Sequence, residues 1–154
     1  MLLGRVRISD ERIESPSVIW IKEAGTRGKI DLDGVTNKTS LVGERYVSPT
    51  ARQSALELTT VTIILEHGNL NAPLIDHGIL DNKRLAFSRT NKVSLSFLPA
   101  TGFLKGTFLS PVSGKKSTLQ GAVLQGRKMA GGFFFGKSES GRVTLQENAG
   151  GANR

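Results

Sequence analysis

The chain contains no cysteine. That excludes disulfides, thiol nucleophiles and cysteine-held zinc or iron–sulfur sites. It suits a cytosolic protein and equally a bacterial exported domain built without disulfides. Long apolar runs are missing as well. No window approaches the ~18 consecutive apolar residues of a membrane helix. Met1-Leu2-Leu3 gives way at once to Gly4 and Arg5, which leaves no signal-peptide hydrophobic region. Taken alone, the sequence reads as soluble and cytoplasmic. No stretch carries apolar residues at amphipathic helical spacing. Acidic residues are scarce in the second half: residues 78–154 hold 12 Lys and Arg against 3 Asp and Glu, whereas residues 1–77 hold 9 against 10. The net charge of +8 is therefore concentrated in the C-terminal half, where it attracts polyanions in a salt-dependent way.

What is present is the grammar of an antiparallel β-meander. A chain of 154 residues with 18 Gly, 5 Pro and 38% apolar residues suits a turn-rich globular β domain with a core of its own. From Thr101 to Leu145, short segments alternate apolar and polar residues between turns rich in Gly, Ser, Pro and Lys. Strands are expected at Gly4–Ile8, Val18–Lys22 with Trp20 as a core anchor, Lys29–Leu32 and Thr39–Val42. Ser9–Pro16 reads as a loop, because Pro16 cannot donate to a ladder. Ala55–Leu65 is the longest apolar stretch, and six consecutive β-branched residues from Thr59 to Ile64 favour a strand there. Leu74–Leu80 is weakly patterned. Further strands follow at Arg84–Ser88, Val93–Phe97, Phe103–Leu109, Thr118–Leu124, Met129–Phe135 and Val143–Leu145. Val93, Leu95 and Phe97 alternate with Ser94 and Ser96, the cleanest period-two signal in the chain.

Gly28–Gly43 aligns without gaps to Gly106–Gly121, 78 positions later. Gly28/Gly106, Lys38/Lys116, Leu41/Leu119 and Gly43/Gly121 are identical, and Gly4–Ile8 echoes Gly141–Leu145. The favoured interpretation is an internal duplication. The expected fold is all-β, a small closed or nearly closed antiparallel barrel of about ten short strands. It would span 1–145 as one domain, with half-repeats over 18–65 and 92–145 and a disordered tail at 146–154. Gly28 and Gly43 should then occupy places equivalent to Gly106 and Gly121.

Several runs carry a resemblance. GNLNAPL at Gly68–Leu74, the Asn91–Phe97 strand, PATGFLKGTF at Pro99–Phe108, SPVSGKK, LQGAVLQ, GGFFFG and the closing SGRVTL stand out within Thr62–Leu145. This region resembles the C-terminal glycine-rich β module of large, uncharacterised exported proteins of Verrucomicrobia and their relatives. Trp20-Ile21-Lys22 and LVGERYVSP at Leu41–Pro49 look like the preceding repeat of that family. The resemblance implies an exported or cell-surface parent, of which this chain would be a fragment. Its motifs are structural glycines and apolar residues without a catalytic signature.

Three function classes follow. The first is a non-catalytic accessory or interaction domain. The second is a small hydrolase acting on an ester, lactone or glycoside, with His67, Asp76 and His77 on turns supplying a general base and an orienting carboxylate. The third is a polyanion-binding module. In an up-and-down meander alternate turns fall at one end of the barrel, which gathers Arg89, Lys92, Lys115, Lys116, Lys137 and Arg142. Lys83, Arg84, Arg127 and Lys128 would share the other end. An anionic polysaccharide or surface is the partner this rim suits. Specific nucleic-acid binding is disfavoured, because the aromatics sit in core-like segments and are not interleaved with arginine.

No metal or cofactor is expected. The histidine spacing matches no metal motif, and Asp31-Leu32-Asp33-Gly34 lacks the distal Glu of a calcium loop. There is no G-x-S-x-G. Gly131–Ser138 satisfies the phosphate-loop pattern by letter, but Phe133–Phe135 fill the loop positions and a turn and strand follow where a helix is needed.

Overall fold

A computed structural model describes residues 1–25, 33–50, 53–81, 84–87 and 91–148. The chain divides into two compact units, Met1–Arg45 and Tyr46–Arg154. Lys29–Leu32 and Gly28, on which part of the expected duplication rests, lie outside the described residues.

The first unit is a single four-stranded antiparallel sheet. Its centre is β3 (Arg12–Lys22), flanked on one edge by β1 (Leu2–Gly4) and β2 (Arg7–Ile8) and on the other by β4 (Val35–Glu44). The expected loop at Ser9–Pro16 is thus largely strand. Pro16 withholds a ladder hydrogen bond, and the register against β4 slips between Ser15 and Val18, a bulge that absorbs it. The Ser15 hydroxyl donates to the Arg5 carbonyl at 2.6 Å and joins the bulge to the break between β1 and β2. Trp20 is not the core anchor its apolar neighbours suggest; it is 41% exposed.

The second unit is a closed eight-stranded barrel. Its strands are β5 (Thr60–His67), β6 (Leu74–Asp81), β7 (Arg84–Phe87), β8 (Ser94–Leu98), β9 (Phe103–Leu109), β10 (Lys116–Leu124), β11 (Met129–Phe135) and β12 (Ser140–Glu147). Each pairs antiparallel with the next, and β12 returns to β5 with Val143 opposite Leu65. Closure removes the open edges that a meander would otherwise expose. Alternate residues point inward. Val61, Ile63, Leu65, Leu104, Phe108, Leu119, Phe134, Val143 and Leu145 form one continuous apolar cluster. A barrel of eight strands is just wide enough for side chains to fill it.

The all-β class and the small antiparallel barrel agree with the sequence; its extent does not. Only β5 of the expected half-repeat 18–65 enters the barrel, because residues 1–45 form a separate sheet. Lys38–Gly43 and Lys116–Gly121 are both strand, yet Gly43 lies opposite Ile13 in the sheet while Gly121 lies between Leu104 and Gly132 in the barrel wall. The shared letters reflect two strands with similar local demands. Gln146 and Glu147, placed in the disordered tail by sequence, extend β12 along Thr62 and Val61; residues 149–154 lie outside the described set.

Ala55–Leu58 is irregular, and the strand begins only at Thr60. Its apolar residues are nonetheless buried, since Ala55, Leu56 and Leu58 join the barrel cluster. They follow an extended strap tied to the turns of one barrel end. The Tyr46 hydroxyl donates to the Pro99 carbonyl at 2.7 Å. The Gln125 amide pairs with both backbone groups of Val47, at 2.9 and 3.0 Å.

Candidate functional site

The strap lies at the end of the barrel where β6, β8, β10 and β12 finish. The opposite end, where β5, β7, β9 and β11 finish, is built by four turns whose described residues are 68–73, 91–93, 110–115 and 136–139. The meander therefore gathers Lys92, Lys115 and Lys137 in turns at this end, with Lys116 opening β10. Arg89 lies outside the described residues. Arg127 and Lys128 belong to the turn at the strap end, and Lys83 lies outside the described residues.

The cations of the turn end are barely countered. Glu139 is the acid within its four turns, and its Oε1 accepts the Asn69 N–H at 2.7 Å. Arg142 is different from the lysines. It stands on β12 opposite Glu66 of β5, and its guanidinium donates twice to Glu66 Oε2, at 2.6 and 3.0 Å. That pairing neutralises it, so it belongs to the barrel seam rather than to a free cationic rim.

Two open depressions accompany the lysines. One is mostly apolar, lined by Asn71, Pro73, Asn91, Pro111 and Val112 from three of the four turns and by Ile75 of β6. Lys92 follows Asn91 directly in the chain. The other runs along the outer wall of β8, β9 and β10, where Ser94, Ser96, Thr107, Thr118, Gln120 and Lys105 present hydroxyls, an amide and an ammonium. Amide and hydroxyl groups of this kind hydrogen-bond to sugar hydroxyls, and the lysines supply attraction for anionic substituents. The exposed rings Phe133 and Phe135 pack edge to face at 5.3 Å on β11 and line neither depression.

The three residues of the hydrolase reading are not brought together. Asp76 and His77 are successive residues of β6, so they face opposite sides of the wall. Asp76 points into the barrel, 3% exposed, and its Oδ1 accepts the His77 N–H at 2.9 Å. His77 points outward, with Nδ1 3.0 Å from the Thr62 hydroxyl. His67 ends β5 opposite Gly141, beyond the last paired residues of β5 and β6. Among the described residues no three His, Asp or Glu side chains converge as a metal site would require. Gly131–Phe135 of the phosphate-loop look-alike lies within β11 and opens no helix.

Sequence reasoning missed the residue that organises the turn end. His67, Gly68 and Asn69 have left-handed φ values of 61°, 62° and 63°. This three-residue twist carries Asn69 across to the last turn. Its Oδ1 accepts the Ser138 N–H at 2.9 Å, and its Nδ2 donates to the Ser138 hydroxyl at 3.0 Å. The Gly-Asn pair at 68–69 was the available signal, since both residues tolerate positive φ.

The one displaced ionisation among the described groups is at the strap. Burial pushes the Tyr46 phenol above its ordinary 10.0. Comparison with family models, curated proteins and solved structures finds no match to this chain.

Proposed function

We propose that the chain is a non-catalytic interaction protein whose barrel binds an anionic polysaccharide at its turn end. The observation that carries the reading is the concentration of Lys92, Lys115, Lys116 and Lys137 at one end of the barrel; the hydroxyls and amide along the wall of β8, β9 and β10, where Lys105 stands, support it. The apolar filling of the barrel supports a binding rather than a catalytic role, as does the separation of His67, Asp76 and His77. The accessory setting within an exported protein rests on the sequence resemblance alone.

Affinity electrophoresis on polygalacturonate against a neutral glucan tests this. Retardation by the acidic polymer should weaken steeply between ~0.05 and ~0.3 M salt, as the Debye length shrinks below the spacing of exposed charges. Replacing Lys92, Lys115 and Lys116 by Glu should abolish it. Equal retardation by the neutral glucan, or indifference to salt, would remove the polyanion reading. Ester, lactone or glycoside turnover lost in His67→Ala or His77→Ala would overturn the non-catalytic one.

A further inference from the structure

The outer wall of the barrel carries charge of one sign on one side. Residues 82–138, which include β7 to β11, contain no Asp or Glu. The acids of this unit, Glu57, Glu66, Asp76, Asp81, Glu139 and Glu147, fall on the strap, on β5, β6 and β12 and in the last turn. On the acid-free side two large rings stay in solvent: Phe133 is 43% exposed and Phe135 56%. Register sets them among polar groups. Phe133 lies opposite Gln120 of β10, Gln120 lies opposite Lys105 of β9, and Lys105 lies opposite Ser96 of β8. All four side chains are exposed. Phe135 stands nearer the turn end, two residues before Lys137, and the exposed Lys116 and Thr118 occupy the same end of β10. The two rings meet at 62°, so a flat group laid on one is flanked by the other.

We propose that this wall is the track along which the acidic polymer lies, with Phe133 and Phe135 stacking on the pyranose rings of a polyuronate. The inference rests on the polyanion reading of the turn end and extends it by naming what the wall recognises. A uronate ring has C–H bonds on its flat face, hydroxyls around its rim and one carboxylate. The negative face of an aromatic ring attracts the C–H groups. Gln120, Thr118 and Ser96 donate to and accept from hydroxyls. Lys105 attracts the carboxylate. Strands ~4.8 Å apart put Phe133, Gln120 and Lys105 within ~10 Å across the wall, a distance that a disaccharide spans. Charge selects the occupant: a polymer of carboxylates meets only cations from β8 to β11 and is led by Lys116 and Lys137 to the turn end. Exposed apolar groups clustered beside polar ones mark binding surfaces, and this cluster matches a partner that is flat and apolar in one direction and hydroxylated in the other.

Affinity electrophoresis of the full chain in polygalacturonate, polyglutamate and oligothymidylate at matched charge tests this. Polygalacturonate should retard it most, because polyglutamate has the carboxylates without the pyranose. Phe133→Ala and Phe135→Ala should each weaken that binding about tenfold, as covering part of a phenylalanine ring implies, with unchanged far-ultraviolet circular dichroism. The factor should be the same at ~0.05 and ~0.15 M salt, whereas the effect of replacing the lysines shrinks with screening. Phe133→Tyr should keep the retardation. Ile79→Ala should leave it unchanged, since this exposed side chain belongs to β6, four strands around the barrel from β10. Retardation that survives both Phe→Ala variants but not the lysine substitutions overturns the wall and leaves the turn-end reading standing. A wild type that polygalacturonate does not retard overturns both. Equal retardation by polyglutamate assigns the surface to acidic peptides, and tighter oligothymidylate binding lost in the Phe variants assigns the rings to bases; either overturns the proposal. If the Ala variants lose their β-type circular dichroism, Lys105→Gln decides, because its exposed side chain leaves rings and core in place: undiminished retardation overturns the proposal.

Discussion

Phe134 shows how single side chains set the barrel's geometry. Its ring is buried and meets Phe108 edge-on at 5.0 Å. Gly68 and Gly141 border it so closely that a Cβ on either would overlap the ring. The glycines of these segments are therefore the seat of an aromatic anchor. Gly141→Ala should lower stability by ~1–3 kcal/mol through overpacking. Gly131→Ala, where a Cβ meets open space, should fall within ~0.5 kcal/mol of the wild type. Urea denaturation midpoints of the two variants measure the contrast, and equal losses would show that the ring has no such seat. Tyr46 gives a second residue-scale prediction, because burial raises its phenol above 10.0. The folded state holds that proton more tightly than the unfolded chain. The stabilisation is fully present below pH 10 and is lost as pH rises from there through the raised value. Tyr46→Phe also deletes the hydrogen bond to Pro99, so it should cost ~1 kcal/mol near pH 8. The gap between wild type and variant should narrow above pH 10.

At the scale of elements, the barrel depends on its seam, where the first strand β5 meets the last strand β12. Two devices hold it near the turn end: the Asn69 bridge to Ser138 and Glu139, and the Arg142–Glu66 ion pair. They differ in expected weight. Asn69→Ala deletes three side-chain hydrogen bonds, two to Ser138 and a longer one from the Glu139 N–H, and the support of a left-handed twist, and should cost ~1–2 kcal/mol. Arg142→Ala breaks a pair whose arginine side chain is 64% exposed, and should cost under ~1 kcal/mol. Amide exchange along β5 and β12 should quicken in the first variant far more than in the second. The same elements show what the sequence disclosed. Val93–Phe97 was legible because Leu95 faces the core while Ser94 and Ser96 face water. Leu74–Leu80 was obscure because its polarity is partly inverted: Asp76 and Gly78 take inward positions while Ile75 and Ile79 face out. That inversion also hid the fate of the histidine site, since Asp76 and His77 cannot share a side once β6 is a strand. The lysine turns were legible, because an up-and-down order fixes which turns share an end. The Asn69 bridge was not, because it joins residues about seventy positions apart.

For the whole molecule, the two units stand on different physical footings. The barrel has a continuous apolar core drawn from all eight of its strands and from the strap. The sheet has the hydrogen bonds of four strands but almost no buried apolar area among its described residues. Backbone ordering costs roughly 1–2 kcal/mol per residue. Against that cost a lone sheet gains little, because net hydrogen-bond contributions are small and hydrophobic burial is the dominant favourable term. A chain cut to residues 46–154 should therefore retain β-type circular dichroism and a single cooperative unfolding transition. Residues 1–45 alone, kept at ~1 µM so that association is suppressed, should show neither. Should the short piece unfold cooperatively at that dilution, the hydrogen-bonded ladders would be stabilising the sheet without a second layer. A barrel piece that fails to fold would mean that its core, complete as it is, depends on the preceding 45 residues.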